Sequence, residues 1–260
     1  MPDMKLNHTV IGPDGGTPIL LAHGLFGQGR NLGAIARRLS RDRRVVTVDL
    51  RNHGDSPWDP RMDYPAMADD LAGLIADLGG RVDLVGHSMG GKASMVAALR
   101  HPELVRRLVV MDIAPIAYGH DQTPLIDAME RLDLAGLDRR SAADAALSAD
   151  IPDPAVRAFL LQSLDLKANP PAWRLNLPVL RSAMPALVGW PDDIPAGTFH
   201  GPVLVMAGTQ SDYVGPEGER AVRRYLPQAR ILHIKGAGHW LHADAPDAVA
   251  EALSIFLNRA

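Results

Sequence analysis

The chain contains no cysteine among its 260 residues, which excludes a disulfide framework, a thiolate metal site and a cysteine nucleophile. It carries little net charge, −3 at neutral pH, and so lacks the broad electrostatic footprint that nucleic acid demands. No apolar run reaches the length that spans a bilayer, so stable membrane insertion is not expected. The opening MPDMKLNHTV has no basic region followed by an apolar stretch, so no secretory signal is expected and a cytoplasmic location is the default. Internal repeats and low-complexity segments are absent. No clustered ligand spacing suggests a metal, and no organic cofactor is implied. No pattern in the chain specifies an oligomeric state.

What is present is the balance of a soluble globular protein, with 47% hydrophobic and 22% charged residues. The length suits a single α/β domain. One basic cluster, Arg37, Arg38, Arg41, Arg43 and Arg44, follows an apolar helix and precedes a strand. It reads as a solvated helix end, with contact to an anionic substrate as the alternative.

Short β-type runs alternate with helical patterns, which predicts βαβ units and a mostly parallel sheet. The clearest runs cover residues 19–22, 45–49, 82–86, 108–112, 203–207 and 231–234. Most are continuously apolar, as strands buried on both faces require. Residues 5–11 add an expected antiparallel edge strand. Helical spacing predicts helices at 64–78, where Gly79-Gly80 ends the run, and at 246–257. From about 116 to 200 the alternation stops and no convincing strand is visible. Helical patterns occupy 124–134, 142–147 and 154–164, and Pro170-Pro171, Pro178, Pro185 and Pro195 divide the rest into short pieces. An insertion of this length between core strands is read as a helical cap rather than a structureless loop.

The strongest local signal is Gly86-His87-Ser88-Met89-Gly90. It follows a strand and opens the helical run 91–100, which His101-Pro102 stops. That is the strand–turn–helix setting in which a G-x-S-x-G serine acts as a nucleophile. Its hydroxyl then stands at the C-terminal edge of the sheet, beside a helix N-terminus that favours developing negative charge. The alternative is an accidental match in a glycine-rich turn.

A serine hydroxyl needs a base to take its proton. Of the ten histidines, His239 in Gly236-Ala237-Gly238-His239-Trp240 is the candidate, because its glycine-rich loop follows the last strand and can reach over the sheet edge. The order serine before histidine also fits. His242 reads as structural and His87 as a packing neighbour of Ser88. After the first parallel strand, His23-Gly24-Leu25-Phe26-Gly27 supplies a candidate oxyanion donor from the backbone. Leu25 is the first choice and Phe26 the second, with Met89 as the other donor. His23 is read as fixing this loop. The polar run from Asp49 to Ser56, which contains His53, is read as a hydrogen-bonded turn supporting the site, with a catalytic His53 the minor alternative.

In this order HGLFG, DLRNHGDS, GHSMGGKASM, LVVMDIAP and GAGHW resemble the α/β-hydrolase superfamily, and more narrowly the YbfF-like esterases and their mitochondrial ABHD11-type relatives. Trp173-Arg174-Leu175-Asn176 and Val188-Gly189-Trp190 are similar to that subgroup as well. The resemblance implies an α/β-hydrolase fold: a mostly parallel sheet of about eight strands flanked by helices, with a cap inserted before the penultimate core strand. On that reading residues 1–115 and 201–260 form the core and 116–200 the cap.

The third member of the triad is open at this level. The superfamily acid usually follows the strand at 203–207 in a G-x-x-D-x-x-V pattern, but here Gly208-Thr209-Gln210-Ser211-Asp212-Tyr213-Val214 puts Ser211 in that place and Asp212 one residue out of register. Asp112 ends the strand beside the one carrying Ser88 and is favoured, also by the YbfF-like resemblance. Asp212 is the rival. Either would orient the imidazole and stabilise its cation.

The implied reaction is acyl transfer to water through an acyl-enzyme. The resemblance points to carboxylic esters of small or medium acyl chains and admits thioesters such as acyl-CoA. A cofactor-free perhydrolase or a carbon–carbon bond hydrolase would use the same residues, and a non-catalytic ligand receptor is the alternative of another class.

Overall fold

The computed structural model describes residues 4–258; residues 1–3 and 259–260, at the outer ends of the expected core segments, lie outside it. The apolar runs form strands β1 (His8–Ile11), β2 (Ile19–Ala22), β3 (Val45–Val48), β4 (Val82–His87) and β5 (Val105–Met111). Four more follow, β6 (Leu164–Asp165), β7 (Ala172–Trp173), β8 (Val203–Gly208) and β9 (Arg230–Ile234). Helices α1 (Gly33–Leu39), α2 (Tyr64–Asp77) and α3 (Met89–Arg100) alternate with the first strands. Helices α4 (Thr123–Arg131), α5 (Arg140–Leu147), α6 (Pro154–Leu160) and α7 (Leu177–Val188) lie between β5 and β8. Helices α8 (Pro216–Tyr225), α9 (Leu241–Asp244) and α10 (Pro246–Leu257) complete the chain.

The main sheet runs β1-β3-β2-β4-β5-β8-β9. Only β1 is antiparallel, pairing with β3, and every other neighbouring pair is parallel. Seven strands therefore stand where about eight were expected. The six parallel runs and the single edge strand read from the residues account for the whole sheet, and the direct β1–β3 pairing leaves no place for another strand between them.

Strands β2, β3, β4 and β8 are buried at every position. Helices cover both faces, which is why these strands read as unbroken apolar runs rather than alternating ones. One apolar layer lies under α2 and α3 and takes in Met67, Leu71, Met95 and Val96. The other lies under α1 and α10 and takes in Ile35, Leu39, Val249 and Leu253. On that second face, Arg43 bonds the buried Asp83 at 2.7 Å and Arg38 pairs with Asp247, so these members of the basic cluster serve contacts within the fold.

The segment between β5 and β8 departs from its sequence reading at two places. A two-stranded ribbon, β6–β7, lies where no strand was legible, and the helix expected over 154–164 gives way to it after Leu160 through a 3-10 turn. Helix α7 runs for 12 residues through prolines read as breakers. Pro178 sits in its first turn, where a missing N–H is harmless, and Pro185 is carried in the interior. The segment is tied to the turn after β3: Gly54 N–H donates to Arg174 O at 2.8 Å, Asn176 N–H to Asn52 O at 3.0 Å, and the Asn176 side chain to Asn52 Oδ1 at 2.9 Å. Among the described residues no helix is long and apolar enough to cross a membrane.

Candidate active site

Ser88 joins β4 to α3 with φ 51° and ψ −120°, a conformation that side chains rarely adopt and that stores strain. The flanking glycines make it possible. A Cβ on Gly86 would sit 2.2 Å from Gly90 O, and one on Gly90 would sit 2.4 Å from His23 O. Both contacts are with backbone that cannot swing aside, so the G-x-S-x-G pattern is a steric requirement of this turn. Ser88 N–H donates to Met111 O at 3.0 Å, which fixes the turn to the end of β5.

Ser88 Oγ lies 2.9 Å from His239 Nε2, and His239 Nδ1 lies 2.8 Å from Asp112 Oδ2. A carboxylate only accepts, so Nδ1 carries the proton and Nε2 is left to accept from the serine hydroxyl. Asp112 stands one residue past β5, with φ 51°, and its side chain is fully buried. Its carboxylate also receives Gly208 N–H at 2.8 Å and the hydroxyl of Ser211. Asp212 is exposed and makes no bond to His239; the carboxylate on the imidazole is Asp112. Ser211, in the position where the family pattern places an acid, supports that carboxylate through its hydroxyl.

The His239 loop is held on several sides. His87 Nε2 donates to His239 O at 2.8 Å, Gln210 N–H to Ala237 O at 2.9 Å, and Gly238 N–H to Asp244 Oδ2 at 2.8 Å. Burial pushes the His87 imidazole well below the usual histidine range, so it stays neutral and acts as a donor to this loop. Tyr213 stacks on the His239 ring, with centroids 3.8 Å apart and planes 17° from parallel. Neither this ring nor the Ser211 bond was legible in the sequence; the one available signal was the out-of-register G-x-x-D stretch that carries both.

Four histidine–backbone bonds shape the loop after β2 and the turn after β3. His23 Nε2 accepts Leu50 N–H at 3.0 Å, while its Nδ1 bonds Gly24 O at 2.8 Å. His53 Nε2 accepts Phe26 N–H at 3.2 Å, and its Nδ1 bonds Arg51 O at 2.8 Å. Both rings are buried, and burial lowers His53 to about 3. They are neutral struts, and His53 does not touch Ser88 or His239. The second-choice oxyanion donor, Phe26, has its N–H committed to His53. Among the described residues the N–H of Leu25 donates to no backbone acceptor, and that of Met89, first in α3, has no partner in its own helix.

These groups open onto a cavity of about 290 Å³. Its floor holds Ser88, His239, Leu25 and Met89, and its walls include Leu125, Phe159, Met184 and Leu187 from α4, α6 and α7. A second hollow of about 320 Å³ adjoins it at Tyr213 and His239, lined also by His120, Gln122, Gln210 and Asp212. The two hollows share Tyr118, His120, Gln122, Tyr213 and His239, whereas Ser88 lines only the first. Among the described residues no group of three or more His, Asp or Glu side chains is arranged to hold a metal ion.

Comparison with known proteins identifies the family to which this fold belongs. Residues 17–246 match a family model described as the alpha/beta hydrolase fold. The chain is 40% identical to the esterase YbfF of Escherichia coli, covering 98% of this chain and all of that one. It is 38% identical to the sn-1-specific diacylglycerol lipase ABHD11 of Mus musculus, covering 98% of this chain and 85% of that one. Among solved structures, a marine microorganism esterase superposes with a TM-score of 0.92 at 31% identity, over 97% of this chain and 99% of the other.

Proposed function

The chain belongs to the alpha/beta hydrolase fold family, and on that premise we propose that it is a carboxylesterase-type hydrolase forming an acyl-enzyme on Ser88. The observation that carries this reading is the unbroken chain of hydrogen bonds from Asp112 through His239 to Ser88, opening into a largely apolar cavity. Two of the most similar relatives are named as an esterase and a diacylglycerol lipase, which points the same way.

In this mechanism His239 Nε2 accepts the Ser88 proton as Oγ attacks the ester carbonyl. The N–H groups of Leu25 and Met89 receive the oxyanion, and the N-terminus of α3 adds its dipole. His239 then gives the proton to the leaving alkoxide. Water, deprotonated by the same imidazole, attacks the acyl-enzyme and releases the acid. Asp112 holds the imidazole in the tautomer that leaves Nε2 free and stabilises the cation between steps. No step calls on a metal or an organic cofactor.

Residues 116–200 act as a cap over the core segments 1–115 and 201–260, and α4, α6 and α7 form the acyl chamber. Its volume is at the lower end for ligand sites, which favours small to medium acyl groups. The second hollow, bordered by His239 and Asp212, takes the leaving group. Thioesters present the same carbonyl and form the second substrate class to be tested, with the cytoplasm the proposed place of action.

The decisive experiment is hydrolysis of p-nitrophenyl esters and acyl-CoAs of increasing chain length, with Ser88→Ala as control. Turnover of short or medium esters that vanishes in Ser88→Ala is expected. Inactivity of the wild type on every ester and thioester would overturn the assignment.

A further inference from the structure

Lys92 lies one helical turn beyond Ser88, and its N–H closes a bond to Ser88 O at 3.0 Å. The residue is 1% exposed, and among the described residues its ammonium has no carboxylate partner. Burying a cation without a counter-ion is costly unless its donors are used. Here Nζ donates to Val188 O at 3.1 Å and to Gly189 O at 2.5 Å. Val188 ends α7 and Gly189 is its C-cap. The last carbonyls of a helix lack intrahelical donors and carry the negative end of the dipole, so a cation there is favourably placed.

Two other groups hold the same helix end. Tyr64 Oη donates to Leu187 O at 2.5 Å, and Tyr118 N–H to Val188 O at 2.9 Å. The rings of Tyr118 and Tyr64 flank the ammonium, with centroids 4.7 and 5.4 Å from Nζ. Carbonyls and aromatic faces thus hold the charge at the end of α7, beside the cavity that Lys92 also lines. The same end of α7 carries Met184, Leu187 and Val188 into the cavity above Ser88.

We propose that Lys92 is a positioning residue for acyl-chain selectivity: by capping the end of α7 it sets the distance between Ser88 and the wall formed by Met184, Leu187 and Val188. This rests on the reading that the cavity receives the acyl group of an ester. Burial lowers the Lys92 ammonium to about 7, so the cap loses its charge as pH rises through neutrality. The titratable groups facing it are Tyr64 from α2 and Tyr118 and His120 from the segment after β5. Burial raises both tyrosines and lowers His120. Above the ordinary histidine value of 6.5, Lys92 is thus the first of the four to change charge.

The test is the ratio of kcat/KM for p-nitrophenyl hexanoate to that for the acetate, across pH, in wild type, Lys92→Met and Lys92→Gln. The ratio cancels the titration of the triad, which serves both esters alike. In wild type it should fall as pH rises through about 7. In Lys92→Met it should be flat across pH and about tenfold below the wild-type value at low pH, with the loss in KM for hexanoate, as expected for one or two lost hydrogen bonds. Lys92→Gln keeps two N–H donors without the charge and should recover part of the ratio with no pH dependence. Hydrogen exchange of the amides at 184–189 should quicken in Lys92→Met. A flat wild-type ratio, or a Lys92→Met ratio and exchange rate equal to wild type, would overturn the assignment. If Lys92→Met does not fold, the Gln variant and the wild-type pH series decide alone. Wild type inactive on both esters would overturn the esterase reading instead, and the exchange comparison would still judge the cap.

Discussion

The hydroxyl of Ser211 donates to Asp112 Oδ2, the same carboxylate oxygen that receives Nδ1–H of His239. With Gly208 N–H on the other oxygen, the buried carboxylate has three donors, which fix its orientation. Asp112→Asn places an amide against Nδ1 and turns the imidazole to the wrong tautomer. Activity on the best ester should fall by about 10³ to 10⁴-fold, whereas Asp212→Asn should stay within about twofold, because the exposed Asp212 touches no member of the triad. Steady-state kinetics of the two variants check this. Ser211→Ala removes one of three donors and should cost about tenfold in kcat.

Tyr213 stacks on His239, and the contact should limit rotation of the imidazole. Aromatic pairs contribute about 0.5–1.5 kcal/mol beyond area burial. Tyr213→Ala should therefore lower kcat by several-fold to about tenfold, while Tyr213→Phe, which keeps the ring, should remain close to wild type. The comparison of the two separates stacking from any effect of the hydroxyl.

The turn at Ser88 admits no added methyl group. Gly86→Ala would bring Cβ against Gly90 O, 2.2 Å away in the present geometry. The backbone of β4 or α3 must shift, at a cost of about 2–3 kcal/mol. A lower midpoint in urea together with slower covalent labelling of Ser88 is expected. Unchanged stability and labelling would mean that the turn is not sterically closed.

Buried neutral histidines make the protein acid-sensitive. Burial lowers His53 to about 3 and His242 to about 4, against 6.5 for an exposed imidazole. Below pH 6.5 the unfolded chain binds protons that the folded one refuses, so stability falls as pH drops from 6.5 toward those lowered values. Above 6.5 these groups are neutral in both states and contribute no slope. Urea midpoints at pH 7 and 5 should show the loss, and His53→Gln should show a shallower one.

Much of this site was legible before folding because its chemistry is local. Ser88 sits in a five-residue steric motif, and His239 sits in a glycine-rich loop between the last strand and the last helices. Asp112 was legible through strand adjacency, since β4 and β5 pair directly. The bonds that refine the site join residues far apart in the chain. Phe26 N–H goes to His53, Ser211 to Asp112 and Lys92 to the end of α7, across separations of 27, 99 and 96 residues. No periodicity encodes such contacts. Helix α7 was hidden for a different reason: Pro178 and Pro185 are helix breakers by propensity, yet one falls in the tolerated first turn and packing against the core carries the other. The β6–β7 ribbon has two residues per strand, too few for any alternation to register.

The identity of the nucleophile is open to one direct measurement: mass spectrometry of the enzyme quenched during turnover of a slowly deacylating p-nitrophenyl ester, with peptide mapping. The acyl mass should appear on the peptide bearing Ser88, and be absent, along with hydrolysis, in Ser88→Ala. An acyl group on another residue, or undiminished hydrolysis by Ser88→Ala, would contradict the assignment of Ser88 and with it the mechanism.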